Sequence, residues 1–181
     1  MIPMQEIKLL FAGPMGAGKT TAIAAISDAP PVSTEVGNLD QAECAKASTT
    51  VGLDFGQTRL PGGECLRLFG LPGQSRFDFM WEALAEGALG VVLLLDNSRV
   101  DPLADLALFA GRLSRLAERW AMVVGVGRLS AGPTRITDFH GWLRERDLRL
   151  PVFAVDVRRR DDVVVLLEAL VRQIEVREEL A

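Results

Sequence analysis

A chain of 181 residues that is 49% hydrophobic is long enough for one domain with a sizeable core and too short for two, so residues 1–181 are read as a single domain. A net charge of -4 lacks the basic excess of a dedicated nucleic-acid binder, which excludes nucleic acid as the expected partner. Cys44 and Cys65 are too few, with no histidine nearby, to complete a tetrahedral metal site, and they are expected to be reduced thiols.

The opening segment MIPMQEIK carries neither the basic region nor the apolar core of a secretory leader, and the longest apolar run, Ala88 to Leu95, is far below a membrane span. No common lipid-attachment signal is present, so the expectation is a cytoplasmic protein without a direct membrane anchor.

Taken in chain order, apolar runs bounded by glycine, proline or a cap alternate with stretches of helical period, the pattern of an α/β fold. EIKLLFAG predicts a first strand, and Lys19 to Ser27 a first helix. Asp28 to about Thr49 is polar and weakly patterned, and reads as a long functional loop. TVGLDFGQTRL and ECLRLFG alternate as two strands, with Pro61 to Gly63 as the turn between them, which makes an antiparallel hairpin. SRFDFMWEALAEGA predicts a helix with Phe77, Met80, Trp81 and Leu84 on its buried stripe, and LGVVLLLD a central strand covered on both faces.

Further on, Asp101 and Pro102 start a helix predicted to run to Trp120, followed by the strand AMVVGV, the helix TRITDFHGWLRERDL, the strand PVFAVDV and a last helix from Asp161. The sum is a three-layer α/β sandwich: a six-stranded, mostly parallel sheet with one antiparallel edge strand from the hairpin, flanked by about five helices.

One motif carries the chemistry. Gly13, Gly18, Lys19 and Thr20 fit G-x-x-x-x-G-K-[ST], and they lie between a predicted strand and a predicted helix, the context the pattern requires. Only three of the chain's lysines and arginines are lysines (Lys8, Lys19 and Lys46), so a lysine in a glycine-rich loop stands out. Backbone N–H groups from Gly13 through Met15, Gly16, Ala17 and Gly18 to Thr21 are placed to converge on phosphate oxygens at a helix start. Lys19 would bridge the β- and γ-phosphates and the Thr20 hydroxyl would ligate Mg2+. Downstream, Thr50, with Thr49 as fallback, can offer a hydroxyl to Mg2+ and an N–H to a γ-phosphate. Gly73 can bring its N–H to the same phosphate, and Gln74 can orient the attacking water.

GPMGAGKTT, TTVGLDFG, LPGQSRFDFMW and GALGVVLLLDNSR, in this order and with the hairpin, resemble the Ras-like small GTPases, most of all the bacterial branch found with Roadblock (LC7-type) partner proteins. The resemblance spans Ile7 to Leu170. It implies a molecular switch that binds GTP or GDP with Mg2+, hydrolyses GTP slowly, and is read by regulatory protein partners through loops around Thr50 and Gln74.

Three positions depart from that family. Where D-x-x-G would stand the chain has Gly70, Leu71, Pro72 and Gly73, so the aspartate that holds Mg2+ through water is missing; Asp54 and Asp96 are the candidates to replace it, Asp96 being the more structural of the two. Where N-K-x-D would stand the chain has Gly127, Arg128, Leu129 and Ser130. Losing that carboxylate removes a charge-assisted pair worth about 1.5 to 3 kcal/mol, and discrimination against adenine falls by roughly one to two powers of ten. Arg128 is left either to stack on a base or to sit in solvent.

Where S-A-K would stand, Asp156 and Val157 are expected to line the base, and Arg158 to Arg160 to form a solvated charge run. Within the loop, Met15 replaces the glycine of many hydrolytic members and would crowd Gln74 or an incoming arginine, for which Arg59 and Arg76 are candidates. Two alternatives stay open: a non-hydrolysing pseudo-GTPase adaptor and, on weaker grounds, a P-loop ATPase. His140 reads as a surface or boundary residue, and Phe77, Phe79, Met80 and Trp81 as mostly core, with an exposed partner-binding face as the alternative for some of them.

Overall fold

The computed structural model describes residues 6–36, 51–59, 65–114 and 120–179. Among these residues seven strands form one sheet: β1 (Glu6–Ala12), β2 (Val32–Val36), β3 (Val51–Arg59), β4 (Cys65–Gly70), β5 (Ala88–Asp96), β6 (Ala121–Gly127) and β7 (Val152–Ala154), in the order β2-β3-β4-β1-β5-β6-β7. The α-helices of the described residues are α1 (Lys19–Ile26), α2 (Phe79–Ala85), α3 (Pro102–Ser114), α4 (Ile136–Arg144) and α5 (Arg160–Glu179).

The alternating period of the strands sorts their side chains into two cores. Leu9 and Phe11 of β1 face the same way as Leu66, Leu68, Val92 and Leu94, and meet Ile23 and Ile26 of α1 and Leu166 and Leu170 of α5. Leu10 and Ala12 point oppositely, with Leu93, Leu95, Val124 and Val126, against Trp81 of α2, Phe109 and Leu113 of α3, and Phe139 and Leu143 of α4. Because β1, β5 and β6 are covered on both faces, they read as continuous apolar runs. The last turn of α1 is also fixed by the chain: Arg160 Nη1 donates to Ala25 O and Ile26 O at 3.4 and 3.0 Å, satisfying two of its carbonyls.

The α/β class, the mostly parallel sheet, the hairpin strands and the five helices match the sequence expectation. Two details differ. The sheet has seven strands, because Val32–Val36, inside the stretch expected to be loop, pairs antiparallel with β3 from Val32↔Phe55 to Val36↔Val51. The antiparallel strand is therefore β3, one place in from the edge, and β2 is the edge. The pattern Val-Ser-Thr-Glu-Val does alternate, but five residues among polar neighbours give a weak period.

Smaller differences follow at the ends of elements. The segment before α2 opens as a 3-10 turn, Ser75–Phe77, and of the expected stripe only Trp81 is buried, with Phe77, Met80 and Leu84 half-buried. Phe79, expected in the core, is 74% exposed. β7 is three residues long, and the chain leaves the sheet before Asp156. Asp101 does cap α3, its Oδ1 accepting from Ala104 N at 2.9 Å. The hairpin turn Pro61–Gly63, Cys44, Thr49 and Thr50, and the predicted last turn of α3 before Trp120 lie outside the described residues.

Candidate functional site

The parallel strands β1, β5, β6 and β7 all end at one side of the sheet, where an open α/β fold places its ligand crevice. A cleft of about 1350 Å³ lies there, lined by residues 15–21, Asp54, residues 70–74, Phe77, residues 127–136 and residues 154–158. The four segments come from distant parts of the chain, brought together because each follows or ends a strand.

The loop between β1 and α1 turns on Gly13, Gly16 and Gly18, whose φ values of 142°, 83° and 95° are closed to ordinary side chains. Gly18 ends the loop as the residue before α1, with no side-chain cap on the helix and no acidic residue in its first turn, so the positive end of α1 faces the cleft unneutralised. Lys19 Nζ donates to Gly13 O at 2.8 Å and Pro14 O at 2.9 Å. An ammonium has three protons, and fixing two of them on loop carbonyls aims the third. Burial pushes the Lys19 pKa down to about 8, against a partial opposing pull from the charge of Asp54. A buried cation of this kind is stabilised by any anion that enters.

Thr20 donates its hydroxyl to Asp54 Oδ2 at 2.5 Å. Asp54 sits on β3, one step past the Phe55↔Phe69 pair, and so lies across from Gly70 on β4. A Cβ placed on Gly70 would lie 3.2 Å from both Asp54 Cβ and Asp54 Oδ2. Asp54 on the neighbouring strand thus puts a carboxylate where a side chain at position 70 would lie, and it reaches the Thr20 hydroxyl. Asp96 does a different job: its Oδ1 accepts from Ser98 N and Ser98 Oγ, and its Oδ2 pairs with Arg128 Nη1. Burial raises the Asp96 pKa, but those bonds and the charge of Arg128 outweigh it and hold the carboxyl below its usual value. The two carboxylates considered from sequence are therefore separated by geometry, Asp54 beside the β1–α1 loop and Asp96 beside the 127–136 segment.

Residues 71–74 lie directly on the phosphate loop. A Cβ on Gly73 would come within 2.7 Å of Gly13 O and Met15 N, so no other residue fits at that distance. Pro72 is held from behind by Trp81, whose Nε1 donates to Pro72 O at 3.1 Å. Gln74 Nε2 approaches Met15 Sδ at 3.2 Å, a weak acceptor, and Met15 itself is 67% exposed. The crowding of Gln74 by Met15 expected from sequence is present as a contact. Neither Arg59 nor Arg76 lines the cleft; the Arg76 guanidinium lies 4.7 Å from the Phe77 ring centroid.

At the far end of the cleft, Met15 through Thr21 gives way to Arg128, Ser130, Asp156 and Val157, while Gly13 lies behind the lining. Val157 packs against the loop, since a Cβ on Gly18 would lie 2.7 Å from its Cγ2. Asp156 is paired locally: Oδ1 accepts from Arg158 N and Nε and Oδ2 from Arg158 Nη2 at 2.6 Å, and these bonds lower its pKa to about 2. Arg158, expected to be plain solvated charge, is the residue that occupies it.

Sequence reasoning did not single out Asn97. It is fully buried, and its Nδ2 donates to Leu129 O and Thr134 O at 2.9 Å each, pinning the whole 127–136 segment. A polar Asp-Asn pair closing an apolar strand was the available signal. His140 is exposed on α4, away from the cleft, and Cys65 is buried in β4. Among the described residues no cluster of three or more His, Cys, Asp or Glu is placed to hold a metal, and no helix is long and apolar enough to cross a membrane.

Residues 43–122 match the model of a family described as a conserved hypothetical ATP binding protein. That similarity suggests a nucleotide-binding, P-loop-type protein, and the fold and cleft agree with it. The matched stretch runs from before β3 into β6, so it contains Asp54, Gly73 and Gln74 but neither the phosphate loop nor residues 127–136. No curated protein matches the chain.

Proposed function

We propose that this chain is a small GTP-binding switch, which holds GTP or GDP with Mg2+ in the cleft and hydrolyses GTP slowly. The observation that carries the reading is the convergence of Lys19, anchored on two loop carbonyls, with the Thr20–Asp54 pair and the glycine-only contact of Gly73 on the same loop. A nucleoside polyphosphate satisfies all three at once: it neutralises the buried ammonium, meets the N-terminus of α1, and gives Gly73 a phosphate to face. Backbone N–H groups of Gly16 to Thr21 supply the remaining contacts.

The donor set fits magnesium, because a hydroxyl already hydrogen-bonded by a carboxylate is an oxygen site of the kind a hard cation takes. Thr20 would ligate Mg2+, Asp54 would hold Thr20 and a metal-bound water, and Thr50 would add a hydroxyl; the ion would neutralise charge between the β- and γ-phosphates. Gln74 is the residue to orient water. With its amide on Met15 Sδ, turnover is expected at or below the range of unassisted switches, roughly 10⁻⁴ to 10⁻² per second. By resemblance, the reader of the nucleotide state is a Roadblock (LC7-type) or other regulatory protein.

The same Gln74–Met15 contact favours a second reading, an adaptor that binds nucleotide without hydrolysing it. The family description favours a third, an adenine-nucleotide P-loop protein. Denaturing the purified protein and separating the released nucleotide by anion exchange tests all three. Retained guanine nucleotide supports the switch, and single-turnover phosphate release then separates switch from adaptor. Retained adenine nucleotide supports the third reading, and an empty protein that fails to bind on titration overturns every nucleotide reading.

A further inference from the structure

The carboxylates that line the cleft decide which base it takes. Among the described residues there are three, Asp54, Asp96 and Asp156. Asp54 accepts from Thr20 at the phosphate end, Asp96 from Ser98 and Arg128, and Asp156 from Arg158 through both oxygens. All three are thus already engaged by donors of the protein itself, Asp156 through both of its oxygens. Ser130, at the position where a carboxylate would stand, offers only a neutral hydroxyl.

Donors are in the opposite state. Arg128 is 59% exposed at its side chain and lines the cleft, while its partner Asp96 is 10% exposed at its own. One nitrogen of the guanidinium is therefore fixed on a buried carboxylate that Ser98 also holds, and the rest of the fork has no protein acceptor among the described residues. The backbone of Arg128 is in the left-handed region, φ 51° and ψ 38°, where Asn97 fixes the next residue by accepting nothing from it and donating to its carbonyl. Such a fork is preorganised. Arg158 is spent on Asp156, and Arg135, 83% exposed beside Asp138, stands at the rim.

We propose that the cleft selects a 6-oxopurine through donors alone, Arg128 giving its guanidinium fork to O6 and N7, while the N1 and N2 edge goes unread. A guanine or hypoxanthine base presents two acceptors there, which match an arginine fork; adenine presents N7 beside the N6–H2 donor, which opposes it. The proposal rests on the nucleotide reading above and adds a specificity that differs from that of a carboxylate-based site, which reads N2.

The test is a set of equilibrium titrations of the intact chain with GDP, inosine diphosphate and ADP in magnesium buffer. GDP and inosine diphosphate are expected to bind within about threefold of each other, and ADP at least about tenfold more weakly. Arg128→Gly, which keeps the positive φ without strain, should bring ADP within about threefold of GDP, and Arg128→Lys should fall between. GDP binding tenfold tighter than inosine diphosphate would show that N2 is read and overturn the proposal. So would ADP binding as tightly as GDP to the unaltered chain, which leaves the nucleotide site itself standing. Binding of none of the three would overturn both.

Discussion

The transfer of the carboxylate from β4 to β3 is testable by moving it back. Asp54→Gly removes the acceptor of the Thr20 hydroxyl, a bond to a charged group worth about 1.5 to 3 kcal/mol, so magnesium-dependent nucleotide affinity should fall roughly 10- to 150-fold. Gly70→Asp alone should also weaken binding, because its side chain would start 3.2 Å from Asp54 Cβ and Oδ2 and set two like charges in one space. The exchange Asp54→Gly with Gly70→Asp clears that space and returns one carboxylate to it, and most of the lost affinity should come back. A fluorescent nucleotide titrated with and without magnesium reads all four proteins, and thermal melting checks that the strand glycine costs no more than about 1 kcal/mol. If the exchange binds no better than Asp54→Gly, or if Asp54→Gly leaves the magnesium dependence intact, the two positions do not share a function.

Three further outcomes follow from the same geometry. Lys19 in the free protein titrates at about 8 and must be charged to hold a polyphosphate, so affinity should be level below pH 7.5 and weaken about tenfold by pH 9, measured where the nucleotide phosphates are already fully ionised; a flat profile would contradict the burial of this amine. Met15→Gly releases Gln74 and should raise single-turnover hydrolysis about tenfold, an effect of roughly 1.4 kcal/mol, and Gln74→Leu should cancel the gain; no change would favour the adaptor reading. Asn97→Ala strands Leu129 O and Thr134 O and should lower unfolding stability by about 2 kcal/mol or more in urea titration, against a shift within about 0.5 kcal/mol if the segment is held by other contacts.

The fold was legible because its signals are long. β5 and β6 are unbroken apolar runs, α3 carries its cap and proline in sequence, and the phosphate loop joins a glycine pattern to a strand and a helix. What the sequence hid depends on pairing across space. β2 becomes a strand by lying beside β3, not by its own period. Asp54 faces Gly70, sixteen positions away along the chain and adjacent only once the hairpin closes, and Asp156 pairs with Arg158 where the chain turns after the short β7. Phe79 is exposed because it falls outside the stripe Phe77, Met80, Trp81 and Leu84 that faces the sheet.

The central claim is that the ammonium held by Gly13 O and Pro14 O exists to bind a polyphosphate. Lys19→Ala, shown by circular dichroism and melting to keep its fold, should lose at least about a hundredfold in affinity for nucleoside di- and triphosphates, the loss expected of a buried charge-assisted contact. Affinity equal to that of the unaltered chain would contradict the account.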